Sequence, residues 1–180
     1  YISIWHKGIF IMATNLEFIK SATASGGVNT LDISDCFSAK YDVYELFIPK
    51  IDLSSNAYLN FRFLKASDGT ADSTSNYDSA GLMFSPSGAF GENRYTNSTN
   101  LSNVFGLINI GSYNTGGKLT IYNPFSSSSY TFVAGHTVNW YSNLGGSKNI
   151  GVHKVAQSNS GIQILLSNID FVEASIYGVK

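Results

Sequence analysis

Apolar and polar residues alternate with a period of two through much of this chain. Leu59, Phe61 and Phe63 alternate with Asn60 and Arg62, and Leu119 and Ile121 alternate with Lys118 and Thr120. Near the end, Ile162/Ile164/Leu166 and Val172/Ala174/Ile176 form two more alternating runs, separated by the polar pair Ser167-Asn168. This period places one face of a strand in a core and the other in water. The pattern predicts strands near residues 15–20, 29–34, 41–49, 58–65, 80–85, 104–110, 118–123, 130–141, 149–155, 161–167 and 172–179. Turn chemistry separates the runs at Ser25-Gly-Gly27, Ser67-Asp-Gly69, Ser87-Gly88, Thr115-Gly-Gly117, Gly145-Gly146 and Asn159-Ser-Gly161. Short strands between glycine turns, with no helical pattern between them, predict an all-β chain, an antiparallel jelly-roll-like β-sandwich.

Two stretches are too long for tight turns, residues 70–78 and 88–103, and both read as surface loops suited to binding. Tyr77, Phe90, Tyr95, Tyr113, Trp140 and Tyr141 lie in or beside predicted loops. Aromatic rings stack on sugar faces and peptides at low entropic cost, and they also fill cores and subunit interfaces. Asp68, Asp72 and Asp78, with Asn76, bring oxygen ligands within reach of Ca²⁺, although the spacing lacks the alternating ligands of an EF-hand. Asx turns account for the same residues. Otherwise no cofactor is expected.

Composition narrows the function. Residues 12–180 fit one domain with a substantial core. Charged residues make up 13% and aromatic residues 14% of the chain, and the net charge is −1. A low-charge surface rich in Ser, Asn and Tyr suits packing against other proteins, and a net charge near zero carries no electrostatic footprint for nucleic acid. No run of about 18 apolar residues marks a membrane span. Cys36 has no cysteine to pair with in this chain and reads as a small buried thiol. His136 and His153 lack carboxylates or cysteines at metal-ligand spacing. No nucleophile elbow, phosphate-binding loop or dinucleotide motif occurs, and nothing selects a carboxylate pair from Glu17, Glu45, Glu92 and Glu173. The chain therefore reads as a non-enzyme.

The final segment, Ile176-Tyr-Gly-Val-Lys180, resembles the closing strand of small β-sandwich proteins from tailed bacteriophages, which are virion structural or fibre-type proteins. Tyr41-Asp-Val-Tyr-Glu-Leu-Phe-Ile48, Tyr58-Leu-Asn-Phe-Arg-Phe63 and Lys118-Leu-Thr-Ile-Tyr-Asn-Pro-Phe125 resemble earlier strands of that group, in the same order. One departure is the penultimate turn, often Ser-Gly-Asn in the group and Ser167-Asn168 here. The resemblance implies a structural component of the virion, displayed on the head or a tail appendage. Its expected partners are copies of itself, with a homotrimer expected by analogy, and other virion proteins. It assigns no site residues. A host-surface glycan-binding module is the competing reading, and a glycan hydrolase a third.

Residues 1–11 precede Met12-Ala-Thr and carry Lys7-Gly8, which AAAGGA encodes, three codons before Met12. They read either as a translated leader ahead of the true start or as an apolar arm that pairs with a neighbour. Intact-mass measurement separates the two: a leader predicts a product beginning at or just after Met12, and a product beginning at Tyr1 excludes it.

Overall fold

A computed structural model describes residues 15–54, 57–86, 88, 90–105, 107–108, 115–141 and 143–180. The expected leader or arm and Tyr113 lie outside these residues. The described chain is all-β. Its strands are β1 (Leu16–Ile33), β2 (Val43–Leu53), β3 (Ala57–Tyr58), β4 (Asn60–Lys65), β5 (Tyr77–Phe84), β6 (Gly91–Ser98), β7 (Leu107–Ile108), β8 (Thr115–Tyr122), β9 (Thr131–Tyr141), β10 (Asn143–His153) and β11 (Asn159–Val179). Nine strands form one antiparallel sheet in the order β1-β11-β2-β8-β9-β10-β5-β6, with β4 attached to β11 off this path, while β3 and β7 pair separately. Among the described residues no helix is long and apolar enough to cross a membrane.

Strand β11 organises the sheet. Through Asn159–Leu165 it pairs with β4, and from Ile169 to Val179 with β2. On its other side β1 follows it for nearly its whole length. The sequence predicts two strands in each of these regions. The structure has one strand in each, with bulges where turns were expected. In β1 the register slips between Ser25 and Val28, where Gly26 and Gly27 both take φ near +80°, which suits residues without a Cβ. In β11 the Ser167-Asn168 break is absorbed by Asn168 at φ 54° and a register shift before Phe171. A bulge bends a strand without ending it, so one strand serves two differently oriented parts of the sheet.

The apolar alternation is realised in β4, β8 and β11. Phe61, Phe63, Leu119, Ile121, Ile162, Ile164, Val172, Ala174 and Ile176 are all fully buried, as is Leu59 just before β4. The sheet curls, so β4 faces strands far from it in the sheet order. Phe63 packs on Tyr77 of β5 and His153 of β10, with ring centroids 6.5 and 5.7 Å away. The Phe63 N–H donates to the Tyr77 hydroxyl at 3.2 Å, and that hydroxyl donates to the Asp72 carbonyl at 3.0 Å. The free edge of β4 is thereby satisfied by side chain as well as backbone.

The segment Leu101–Phe105 lies on the inner face of β8 and β9. A Cβ on Gly135 would come 2.4 Å from the Val104 carbonyl, and one on Gly117 would come 2.7 Å from the Phe105 ring. These glycines let a backbone segment rest directly on the sheet. Leu101, Val104 and Phe105 fill the core there, with the Phe61 and Phe105 rings 5.9 Å apart, edge to face.

Phe61→Ala is expected to lower unfolding free energy by about 3–5 kcal/mol, as a large cavity in a fully buried site. Gly135→Ala is expected to cost about 1–3 kcal/mol through overpacking. Urea denaturation measures both. A Gly135→Ala variant as stable as the parent means that Val104 does not rest on β9.

Candidate functional site

Two constellations separate on the two faces of the sheet. The first is buried. His153 stacks on Tyr77 at 4.5 Å and 15°, and its Nε2 lies 3.0 Å from Asp72 Oδ2. Thr74 donates to Asp72 Oδ1 from its N–H at 3.0 Å and from its hydroxyl at 2.5 Å. Gln157 donates to Asp72 Oδ2 at 3.3 Å and to Asn159 Oδ1 at 3.1 Å, and Asn159 donates to Thr131 at 3.1 Å. Burial pushes the His153 pKa down further than the Asp72 carboxylate raises it, so the ring is neutral at pH 7. Burial acts on Asp72 the other way, but the Thr74 and His153 hydrogen bonds outweigh it and hold this carboxyl below its ordinary value. With Asp72 ionised, the His153 proton resides on Nε2, and Nδ1 has no partner. The arrangement is a structural clamp: it ties the loop around Asp72 to β10 beneath the Phe63–Tyr77 contact.

The second constellation is the outer face of β8, β9, β10, β5 and β6, where the usual distribution of residues is inverted. The inward positions of β9 and β10 are small or polar: Thr131, Val133, Gly135 and Thr137, then Ser147, Asn149, Gly151 and His153. Thr137 and Ser147 share a 2.7 Å hydrogen bond, and Asn149 donates to Ser147 at 2.7 Å. The outward positions carry the large apolar groups. Phe132, Val138, Trp140, Leu144 and Ile150 are 46–61% exposed, and Leu82, Phe84 and Tyr122 beside them 39–51%. Between Tyr122, Phe132, Ile150 and Arg94 the face forms a concavity of about 570 Å³ floored by Ala80 and Ala134.

Charges cross this face in one row. Lys118 is opposite His136, His136 opposite Lys148, Lys148 opposite Leu82, and Leu82 opposite Glu92. The row carries the cations Lys118 and Lys148 on β8 and β10 and the anion Glu92 at the β6 edge. Glu92 pairs with Arg94 at 2.7 Å, and Lys118 reaches Glu45 at 3.4 Å. Asp78 at the rim is held below its ordinary value first by the Lys154 ammonium, 2.8 Å away, and then by the Asn97 N–H.

The aromatics expected in loops are scattered. Tyr77 is a correction: it opens β5, is fully buried, and its hydroxyl is consumed in the core. Tyr95 is also a correction, since residues 91–98, expected as loop, form strand β6 against β5. Its ring is half-buried at the rim of the concavity. Phe90 lies outside any strand and is 79% exposed. Trp140 lies on the outer face of β9, opposite Leu144. Of the three aspartates weighed for Ca²⁺, Asp68 accepts from Thr70 and Lys65, Asp72 belongs to the clamp, and Asp78 pairs with Lys154. The Asp68 carboxyl is lowered to about 2, first by the Thr70 N–H and then by Lys65. Among the described residues no group of three or more His, Cys, Asp or Glu is placed to hold a metal ion. Cys36 is buried and burial pushes its thiol up to about 12, so it is a core residue.

Sequence reasoning overlooked Phe132, Val138, Leu144 and Ile150 as surface residues. The signal was present in Thr131-Phe-Val-Ala-Gly-His-Thr-Val-Asn-Trp140, where one alternating set holds Phe, Ala, His, Val and Trp and the other holds Thr, Val, Gly, Thr and Asn. Periodicity reports two faces and leaves open which one faces the core. No protein-family model matches the chain, and comparisons with curated proteins and with solved structures likewise find no match.

The clamp sets a pH dependence. From about pH 6.5, the ordinary histidine value, downward, the folded state binds fewer protons than the unfolded chain, because His153 is held neutral. Stability is therefore fully present above that pH and falls as pH drops, with a further loss below about pH 4 as Asp72 protonates. His153→Gln is expected to flatten melting temperature against pH between 7 and 5. An unchanged slope would place the titration elsewhere.

Proposed function

We propose that this chain is a non-enzymatic structural component of a bacteriophage particle, carried on the head surface or a tail appendage. It works by packing its inverted sheet face against other protein. The carrying observation is that face: β9 and β10 place their large apolar residues outward and their small or polar residues inward. Monomeric proteins rarely expose a contiguous apolar patch beyond a few hundred Å² unless it has a partner. The closing strand Ile176–Lys180 and its resemblance to phage sandwich proteins supply the particle context. In this reading the curl that brings β4 over β5 and β10 is a jelly-roll-like sandwich. The chain's partners are copies of itself and other virion proteins, met during assembly in the host cytoplasm. Threefold assembly is an expectation by analogy, and no feature of the fold selects it.

A second reading, adhesion to a host-surface glycan, draws on one observation. Trp140 and Phe132 present half-exposed rings on the same strand face, the geometry on which sugar faces stack.

Density-purified particles, from the host carrying this gene, are expected to contain the chain at fixed stoichiometry by quantitative mass spectrometry. Recovery entirely in the particle-free soluble fraction overturns the reading. Glycan-array binding lost on Trp140→Ala, with an unchanged melting temperature, would move the assignment to adhesion.

A further inference from the structure

We propose that the outer face of β8–β9–β10–β5–β6 pairs with the same face of a second copy of this chain. The two copies are related by a two-fold axis that runs parallel to the strands over β10. This rests on the assembly reading above and adds the partner, the symmetry and the register.

Area is the first argument. Among the described residues, eight of the exposed large apolar side chains lie on this one face: Leu82, Phe84, Tyr122, Phe132, Val138, Trp140, Leu144 and Ile150. Each is about half exposed, so together they offer on the order of 800 Å² per copy, the size of a standard stable interface on each partner. Two sheets stacking face to face keep their strand directions within about 30°, so rows of one face meet rows of the other.

The charge row is the second argument, and it fixes the register. An isologous interface makes residue i of one copy meet residue j of the other, and j meet i. An axis over β10 sends β9 onto the second copy's β5 and β8 onto its β6. The row Lys118–His136–Lys148–Leu82–Glu92 then reverses over itself. Lys118 meets the second copy's Glu92, and Glu92 meets its Lys118. In the adjoining rows Val138 meets Phe84 and Ala134 meets Ala80, from positions two strands apart in one chain. Ile150 lies between Ala134 and Ala80 and meets its twin on the axis. Glu92 exchanges an exposed Arg94 contact for this one, at little cost. The register leaves three unfavourable contacts: Lys148 faces its own copy, His136 meets the second copy's Leu82, and Phe132 meets its Asp78.

Sedimentation equilibrium on the full chain from about 1 to 100 µM tests this, at the concentrations where interfaces of this size associate. A mass of twice 19.5 kDa is expected. Ile150→Lys is expected to weaken pairing at least about 100-fold with the melting temperature of the monomer unchanged. Lys118→Glu and Glu92→Lys each weaken it, and the double charge swap restores it. Lys148→Leu tightens it. A monomer throughout the range, a threefold mass, or a double swap as weak as its singles overturns the proposal. Particle incorporation of Ile150→Lys separates this from the assembly reading. If the parent is monomeric and the variant is still excluded from particles, self-pairing fails and the assembly reading stands.

Discussion

The fold depends on one strand that bonds along both edges to three others. Strand β11 takes β1 on one side and, in succession, β4 and β2 on the other. Its inward residues run from Ile162 to Ile176, nearly all fully buried, so the same strand floors both ends of the core. A flat 21-residue strand could not do this, because β4 must lie over β5 and β10 while β2 continues the main sheet. The shifts around Asn168 and Glu173 supply the bend. Once β11 is bent, the Phe63 contact with Tyr77 and His153 follows, and with it the buried clamp on Asp72.

That clamp explains why the inner face of the distant strands is polar. Where β9 and β10 pass beneath the Leu101–Phe105 segment and the loop around Asp72, the inner surface is touched by backbone and by hydrogen-bonding side chains. His153 bonds Asp72, Thr131 is reached by Asn159, Thr137, Ser147 and Asn149 bond one another, and glycines make the space. A Cβ on Gly135 or Gly151 would meet Val104 or Leu101, so these positions are closed to large apolar residues. The apolar residues of the same strands are therefore on the outside. The core and the outer face are complementary consequences of one packing arrangement.

The sequence was readable where one face is apolar and the other polar. Leu59–Phe63, Leu119–Ile121 and the two halves of β11 were legible for that reason. It misled in three physical situations. Gly26-Gly27, Gly145-Gly146 and Asn168 carry turn chemistry, yet each lies within a strand, because glycine and asparagine serve bulges and close approaches as readily as turns. Strand β6, Gly91–Ser98, reads as loop because an edge strand needs no apolar face and here has Glu, Asn, Arg and Thr. Tyr77 sits next to polar residues in sequence, but its ring position is set by Phe63 and His153, which are distant in the chain. The charge row was invisible for the same reason, since its five members come from five separate strands.

The placement of the few charges completes the physical picture. With charged residues at only 13% of the chain, each one on an apolar sheet has a large effect on what that sheet tolerates. A face carrying only Phe132, Val138, Trp140 and Ile150 would associate in any register and with any apolar surface. Lys118 and Lys148 across its middle, with Glu92 at the edge, penalise most registers by burying unpaired charge, which costs more than the apolar contact returns. Strand β6 adds to this, since its charged edge discourages further strands from extending the sheet on that side.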